Sequence, residues 1–215
     1  MNNTLFHAPL ACSLAVRMAA AEGGVPLDIA YLNLKTKELE GGGSLFDVNP
    51  LGQVSVIKDC NGQIITETST CLQWVQLNSK DASFYREPSS SEFLQISRWI
   101  SFCSTELHKQ IFRVVFYDEA TADVKERFLN LAPARLDLLN KHLADKEYLV
   151  GNSFSSADAY LTWFFVLSSS SGVEVSPYEN LVNYRDRMFG RADIKSVILD
   201  DQHKDVEIGQ NLMAG

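Results

Sequence analysis

Cys12 is the residue whose type and place most directly imply chemistry. It stands in Leu5-Phe6-His7-Ala8-Pro9-Leu10-Ala11-Cys12-Ser13-Leu14, where a short apolar run ends at Pro9 and a helical period begins just beyond. That spacing puts the thiol at the N-terminal end of a first helix. Unpaired backbone N–H groups and the helix dipole favour negative charge there, and so favour a thiolate or a bound anionic thiol ligand. The competing reading is a small core side chain, since free cysteine is among the most buried residue types. The four cysteines, Cys12, Cys60, Cys71 and Cys103, form no CxxC or metal-ligand spacing, so no metal site is expected. Ser155 and Asp158 have capping-box spacing ahead of an apolar helix, a structural role.

The elements that must position Cys12 come from the hydrophobic pattern. Thr4 to His7 reads as a strand. Ser13 to Glu22 reads as a helix, with Leu14, Met18 and Ala21 on one face and Gly23-Gly24 ending it. Leu27 to Leu34 alternates as a second strand, and Lys35 to Ser44 is a loop or a short helix. Asn49-Pro50-Leu51-Gly52 is a turn signal. Val54 to Lys58 and Gln63 to Thr66 flank Asp59-Cys60-Asn61-Gly62, which suits an antiparallel hairpin. Ser69 to Leu77 reads as a helix, giving the order β-α-β-α-β-β-α.

Beyond it, Asn78 to Ser91 is polar and linker-like, and helical periods then take over. Glu92 to Phe116 is predicted as one long helix. Ala122 to Ala144 is a second, kinked or broken at Pro133. Ala157 to Leu167 is apolar on most sides and reads as a buried helix. Tyr178 to Met188 and Asp193 to Leu199 are further helices, and the polar tail from Gln202 onward is expected to fray.

The 215 residues suffice for one large domain or two small ones. A hydrophobic share of 46% with 21% charged residues describes a globular chain with a core. The net charge of -8 argues against nucleic acid and anionic membrane as main partners. Met1-Asn2-Asn3-Thr4 lacks a basic, then apolar, leader pattern, and no apolar run is long enough to span a bilayer. The expected setting is a reducing cytoplasm.

This element order, with four motifs, resembles the cytosolic glutathione transferases, most of all the bacterial beta class, over nearly the whole chain. The motifs are Ala11-Cys12-Ser13-Leu14-Ala15; Asn49-Pro50-Leu51-Gly52-Gln53-Val54 followed by Thr66-Glu67-Thr68; Thr105-Glu106-Leu107-His108-Lys109; and Phe154-Ser155-Ser156-Ala157-Asp158-Ala159-Tyr160. The resemblance implies a thioredoxin-like α/β domain over 1–80 that binds glutathione, a linker over 81–91, and an all-helical domain over 92–215. It implies glutathione as co-substrate and a hydrophobic electrophile as second substrate. A homodimer is implied too.

By the same resemblance Cys12 lies beside the glutathione sulfur, and Ser13 either donates to an anionic sulfur or is an ordinary first-turn residue. Glu67 pairs with the γ-glutamyl ammonium, and Thr68 takes the γ-glutamyl carboxylate or caps its helix. Val54 offers its backbone to the cysteinyl part, as an added strand would. His108 donates to a thiolate or relays a proton, and Lys109 attracts a carboxylate; the competing reading of both is a solvated face. Ser101 and Thr105 line the pocket from the same helix face, and Lys37 reaches the glycyl carboxylate. Phe112, Val115, Phe116 and Tyr117 line the second-substrate site or belong to the core, whereas Trp163, Phe164 and Phe165 belong to the core. The implied activity is conjugation of glutathione or glutathione-dependent thiol–disulfide exchange. The alternatives are a non-catalytic binding or regulatory module on the same fold, and a relative acting on one metabolite as a dehalogenase or isomerase.

Three residues depart from the family pattern. Ser55 stands where the family has a proline after a cis bond. A cis bond before a non-proline residue costs roughly 2.5–4 kcal/mol, so Val54–Ser55 is either trans in a rearranged loop or cis and held by the fold. His7 stands where many members have tyrosine, and either bonds near the site or packs. Leu10 replaces a small residue and is expected to narrow the pocket entrance.

Overall fold

The computed structural model describes residues 2–209. Its first part is a four-stranded sheet of order β2-β1-β3-β4, built from β1 (Thr4–His7), β2 (Asp28–Tyr31), β3 (Val56–Lys58) and β4 (Ile64–Thr66). β1 runs parallel to β2, with Leu5 opposite Ile29, and the connection between them carries helix α1 (Ser13–Glu22). β3 is antiparallel to β4, as the Asn61-Gly62 turn predicts, and antiparallel to β1 as well. Helix α2 (Thr68–Asn78) closes this part, and the expected thioredoxin-like α/β arrangement followed by an all-helical part is the one observed.

The predicted second strand is shorter than Leu27 to Leu34. After Tyr31 the chain leaves the sheet, Lys35 to Ser44 takes the loop alternative, and a 3-10 turn capped by Ser44 follows at Leu45–Asp47. Gly42 and Gly43 at φ 89° and 85° precede it, a backbone that no helix continues.

The helical part opens with a continuous rod whose cap is the Ser90 hydroxyl, which accepts from the Phe93 N–H. It runs as α3 (Ser91–Phe102), a π-helical segment (Cys103–Phe112) and α4 (Arg113–Val115). The predicted single helix is therefore right in extent but wider in its middle third. α5 (Ala122–Leu129) and α6 (Ala132–His142) are separate, with Pro133 in the first turn of α6, where its missing N–H costs no bond. α7 (Ser156–Ser171) is buried along nearly its whole length and ends at Gly172 in the left-handed conformation (φ 78°). α8 (Glu179–Phe189) packs against α7, and α9 (Ala192–Glu207) packs against α1 and α8.

One expectation about the end of the chain is overturned. The helix predicted to stop at Leu199 continues to Glu207, so Gln202 to Glu207 is not a frayed tail. Buried polar residues win over the polar surface of that stretch: Asp205 within it is buried, and Asp201 just before it is fully buried against Arg17 of α1 and His7 of β1. The rest of the predicted tail, 210–215, lies outside the described residues.

α2 and α7 join the two parts through buried polar bonds. The Ser156 N–H donates to Gln76 Oε1 (2.9 Å) and its hydroxyl to the Leu72 carbonyl (2.9 Å).

Candidate active site

β1 delivers the chain to a loop, Ala8 to Ala11, and Cys12 occupies the N-cap position of α1. The motif before β3 supplies the facing wall. Asn49 Nδ2 donates to the Gln53 carbonyl (2.7 Å), and Gly52 turns the chain at φ 58°, where a Cβ would meet the Phe46 ring at 2.5 Å. That turn brings Val54 toward Cys12. The Val54–Ser55 bond is cis, the second of the two alternatives open from the sequence.

Three buried side chains then form a row. Thr68 Oγ1 lies 3.1 Å from Ser55 Oγ and donates to Cys12 Sγ at 3.2 Å, while Cys12 Sγ lies 3.3 Å from the Val54 carbonyl. One hydroxyl has one proton to give, so the self-consistent direction is Ser55 to Thr68 to Cys12 to Val54. In that direction the sulfur carries a proton. Burial pushes the Cys12 thiol up; the Thr68 hydroxyl, the charge of Lys109 and Ser55 oppose this with smaller effects. The thiolate expected from the helix start is thus not the resting form. Desolvation of a fully enclosed sulfur outweighs the dipole of a ten-residue helix.

Glu67 is the N-cap of α2, in the left-handed region at φ 68°, with an exposed side chain that makes no capping bond. Thr68 is the first residue of α2, and its hydroxyl serves Cys12 rather than the helix end, so the capping alternative falls away. Val54, Cys12 and Thr68 are brought together by hydrogen bonds, with Glu67 beside Thr68 at the start of α2.

His108 and Lys109 sit on the π-helical segment. Lys109 is exposed, and its charge acts on both Cys12 and His108. His108 Nδ1 lies 2.9 Å from the Tyr160 hydroxyl, and its ring stands edge-on to Trp163 at 4.7 Å. Burial, then Lys109 and Arg113, push its pKa down to about 3, so the imidazole is neutral at neutral pH. Tyr160 also lies beside Thr68 and Ser104, which makes it the link from His108 to the Cys12 row. Sequence reasoning missed that role, because its only signal was the Ser155–Asp158 capping motif.

Ser101 and Thr105 are exposed, and the Thr105 hydroxyl donates back to the Ser101 carbonyl (3.0 Å), so neither joins the buried row. Lys37 is half-buried at φ 65° in the loop after β2, where burial and the nearby Arg113 lower its pKa. Arg113 is a second residue that the sequence reading passed over; it lies over the Tyr117 ring (5.2 Å). Phe112 is core, stacked on Phe164 at 4.7 Å, whereas Phe116 and Tyr117 are exposed.

Within the Cys12 loop, Ser13 takes its first-turn alternative and one expectation, that for Leu10, is corrected. Ser13 does not face the sulfur. Its hydroxyl lies 2.8 Å from His7 Nδ1 and is fully buried. Leu10 does not narrow an entrance, because it is fully buried in the core beneath the loop. His7 resolves to the bonding alternative: between Ser13 and Asp201 (3.0 Å), its pKa is lowered by burial, against the pull of Asp201.

Comparison with known proteins agrees with this architecture. The family model for the glutathione S-transferase C-terminal domain matches residues 105–198. The glutathione S-transferase GstA of Escherichia coli O157:H7 is 29% identical over 196 residues, covering 90% of this chain and 96% of that protein. A beta-class glutathione S-transferase of Sphingomonas chungbukensis superposes with a TM-score of 0.86 at 29% identity, covering 92% of this chain and 98% of the other. A sphingomonad glutathione S-transferase, solved in complex with glutathione, superposes at 0.87 with 25% identity, covering 93% and 98%. No helix among the described residues is long and apolar enough to cross a membrane. With its sheet order, its helical part and the Cys12–Val54–Thr68 cluster in place, the chain is similar over nearly its whole length to bacterial beta-class glutathione transferases and carries their C-terminal domain pattern over 105–198.

Proposed function

We propose that this chain binds glutathione at the Cys12 row and joins its sulfur to a hydrophobic electrophile, with domains 1–80 and 92–215 joined through 81–91. The observation that carries this reading is Cys12 held between the Thr68 hydroxyl and the Val54 carbonyl, with burial pushing its thiol up. Val54 lies outside the β3 ladder, so its backbone is available to the cysteinyl part of the peptide as an added strand. The exposed Glu67 carboxylate takes the γ-glutamyl ammonium. The first N–H groups of α2, beginning at Thr68, take the γ-glutamyl carboxylate. Lys109 and Lys37 draw the glycyl carboxylate. Once the ligand occupies the Val54 carbonyl, the Cys12 S–H is free to donate to the incoming sulfur. That donation and the Lys109 charge favour the glutathione thiolate. Exposed Phe116 and Tyr117 offer an apolar face to the electrophile.

A neutral Cys12 supports conjugation over thiol–disulfide exchange, which needs Cys12 itself ionised. Cys12→Ser separates the two, because serine still donates. We expect its conjugation rate with an aryl halide to stay within about tenfold of wild type, the worth of one hydrogen bond. Reduction of a glutathione mixed disulfide should be lost. Loss of both activities would favour exchange chemistry at Cys12, and wild-type binding without turnover would favour the non-catalytic module. In the same proposal the working form is a cytoplasmic homodimer, and a monomer in sedimentation velocity would overturn the assembly.

A further inference from the structure

Leu10, two residues before Cys12, has its backbone held at both ends by side chains of the helical part. Its N–H donates to Asp201 Oδ2 on α9 (2.8 Å), and its carbonyl accepts the indole N–H of Trp163 on α7 (3.0 Å). Both partners are buried, Asp201 at 0% and Trp163 at 3% exposure. Leu10 sits at φ 60°, a left-handed backbone that a leucine keeps only where its surroundings over-determine it. The same Asp201 carboxylate accepts from His7 Nε2 and from Arg17. The other ring nitrogen of His7 takes the Ser13 hydroxyl. Asp201 therefore holds residue 10 directly and residue 13 through His7, and Cys12 lies between them.

We infer that Asp201 and Trp163 are positioning residues for Cys12: by pinning the two ends of the left-handed Leu10 they set where the sulfur meets Thr68 and the Val54 carbonyl. The inference rests on Cys12 as the working thiol of the proposed function. A loop released at Leu10 carries Cys12 away from the Thr68 hydroxyl at 3.2 Å, the donor that favours its charged form. The groups that face the thiol are Thr68 and Cys71 from α2, Ser55 from the loop before β3, Lys109 from the π-helical segment and Tyr160 from α7. A change at 201 alters none of these side chains; Trp163 packs against Tyr160 (5.7 Å between ring centroids), so its replacement must keep an aromatic ring there.

Trp163→Phe removes the indole N–H and keeps aromatic bulk. Asp201→Asn leaves one carbonyl oxygen for three donors. The measurement, on the full chain, is the pH dependence of iodoacetamide alkylation at Cys12, resolved by peptide mass spectrometry from the exposed Cys60 as internal reference. We expect the Cys12 midpoint to rise by about half a pH unit or more in both variants, with the Cys60 profile unmoved. Leu136→Ala, a cavity elsewhere in the helical core, should lower the denaturant midpoint and leave the Cys12 profile in place. If one of the pair does not fold, the other decides. A Cys12 profile that superposes on wild type while only stability falls would overturn the inference, as would an equal shift in Leu136→Ala. Failure of the wild type to bind glutathione would remove the proposed function and leave this profile readable.

Discussion

One hydroxyl proton orders the Cys12 row. Thr68 stands where a helix start invites a cap, yet its hydroxyl bonds to the sulfur, and Ser55 fills its acceptor side. Removing that donor should raise the thiol further, because a bond given to the sulfur favours its charged form. Thr68→Val, close in shape, is expected to move the Cys12 alkylation midpoint up by about one pH unit and to raise the KM for glutathione. Thr68→Ser should restore both; a valine variant titrating like wild type would show that the bond has no influence. Cys12, Val54, Glu67 and Thr68 were legible in the sequence because each sits in a local motif whose turn or helix start fixes its direction. Tyr160, Trp163 and Asp201 were not. Asp201 meets Leu10 across 191 positions, and no local pattern marks a buried carboxylate on a helix whose neighbours Gln202 and His203 are exposed.

Among the elements, α7 depends most on a few polar groups at its start. Ser155 and Asp158 form the predicted capping box, with the Ser155 N–H donating to Asp158 Oδ2 at 2.9 Å. Asp158 does more than the motif foretold. It also accepts from the Ser155 hydroxyl, the Leu149 N–H and the Tyr184 hydroxyl, all in the interior. Ser155→Ala should therefore cost about 1 kcal/mol, as loss of one cap does. Asp158→Ala strands several buried donors and should cost about 3 kcal/mol or more in the same denaturant titration. Equal midpoints for the two variants would contradict this ranking. The extents of the rod from Ser91 and of the break at Pro133 followed from periodicity and proline chemistry. The π-helical widening at Cys103–Phe112 did not, since a ten-residue change of hydrogen-bond register is too short for an apolar period to distinguish it from an α-helix.

The whole molecule is tied across its two parts by α9. Besides Asp201, Asp200 pairs with Arg17 (2.8 Å) and accepts from Tyr31 (2.9 Å), and Lys204 reaches Glu40 (2.6 Å) in the loop that carries Lys37. The C-terminal half of α9, of which Lys204 lies in the stretch expected to fray, thus ties down the loops on both sides of the site. Two enclosed histidines give this assembly its acid response. His7 and His108 both have folded pKa values below the ordinary 6.5, the first lowered chiefly by burial and the second taken to about 3. The unfolded chain then binds protons that the folded chain does not. Stability should be full above about pH 6.5 and fall as the pH drops toward 3, with a slope of at most about 1.4 kcal/mol per pH unit for each histidine. His108→Gln should flatten part of that slope in denaturant midpoints taken from pH 7 to pH 5; an unchanged slope would show that His108 titrates normally. The central claim, a working glutathione site built on a serine after Val54, is met most directly by calorimetric titration of reduced glutathione into the purified wild-type chain, with Glu67→Gln beside it. The account predicts binding between micromolar and low millimolar, weakened by about tenfold in Glu67→Gln through loss of the charge on the γ-glutamyl ammonium. A folded wild-type protein that takes up no glutathione would contradict it.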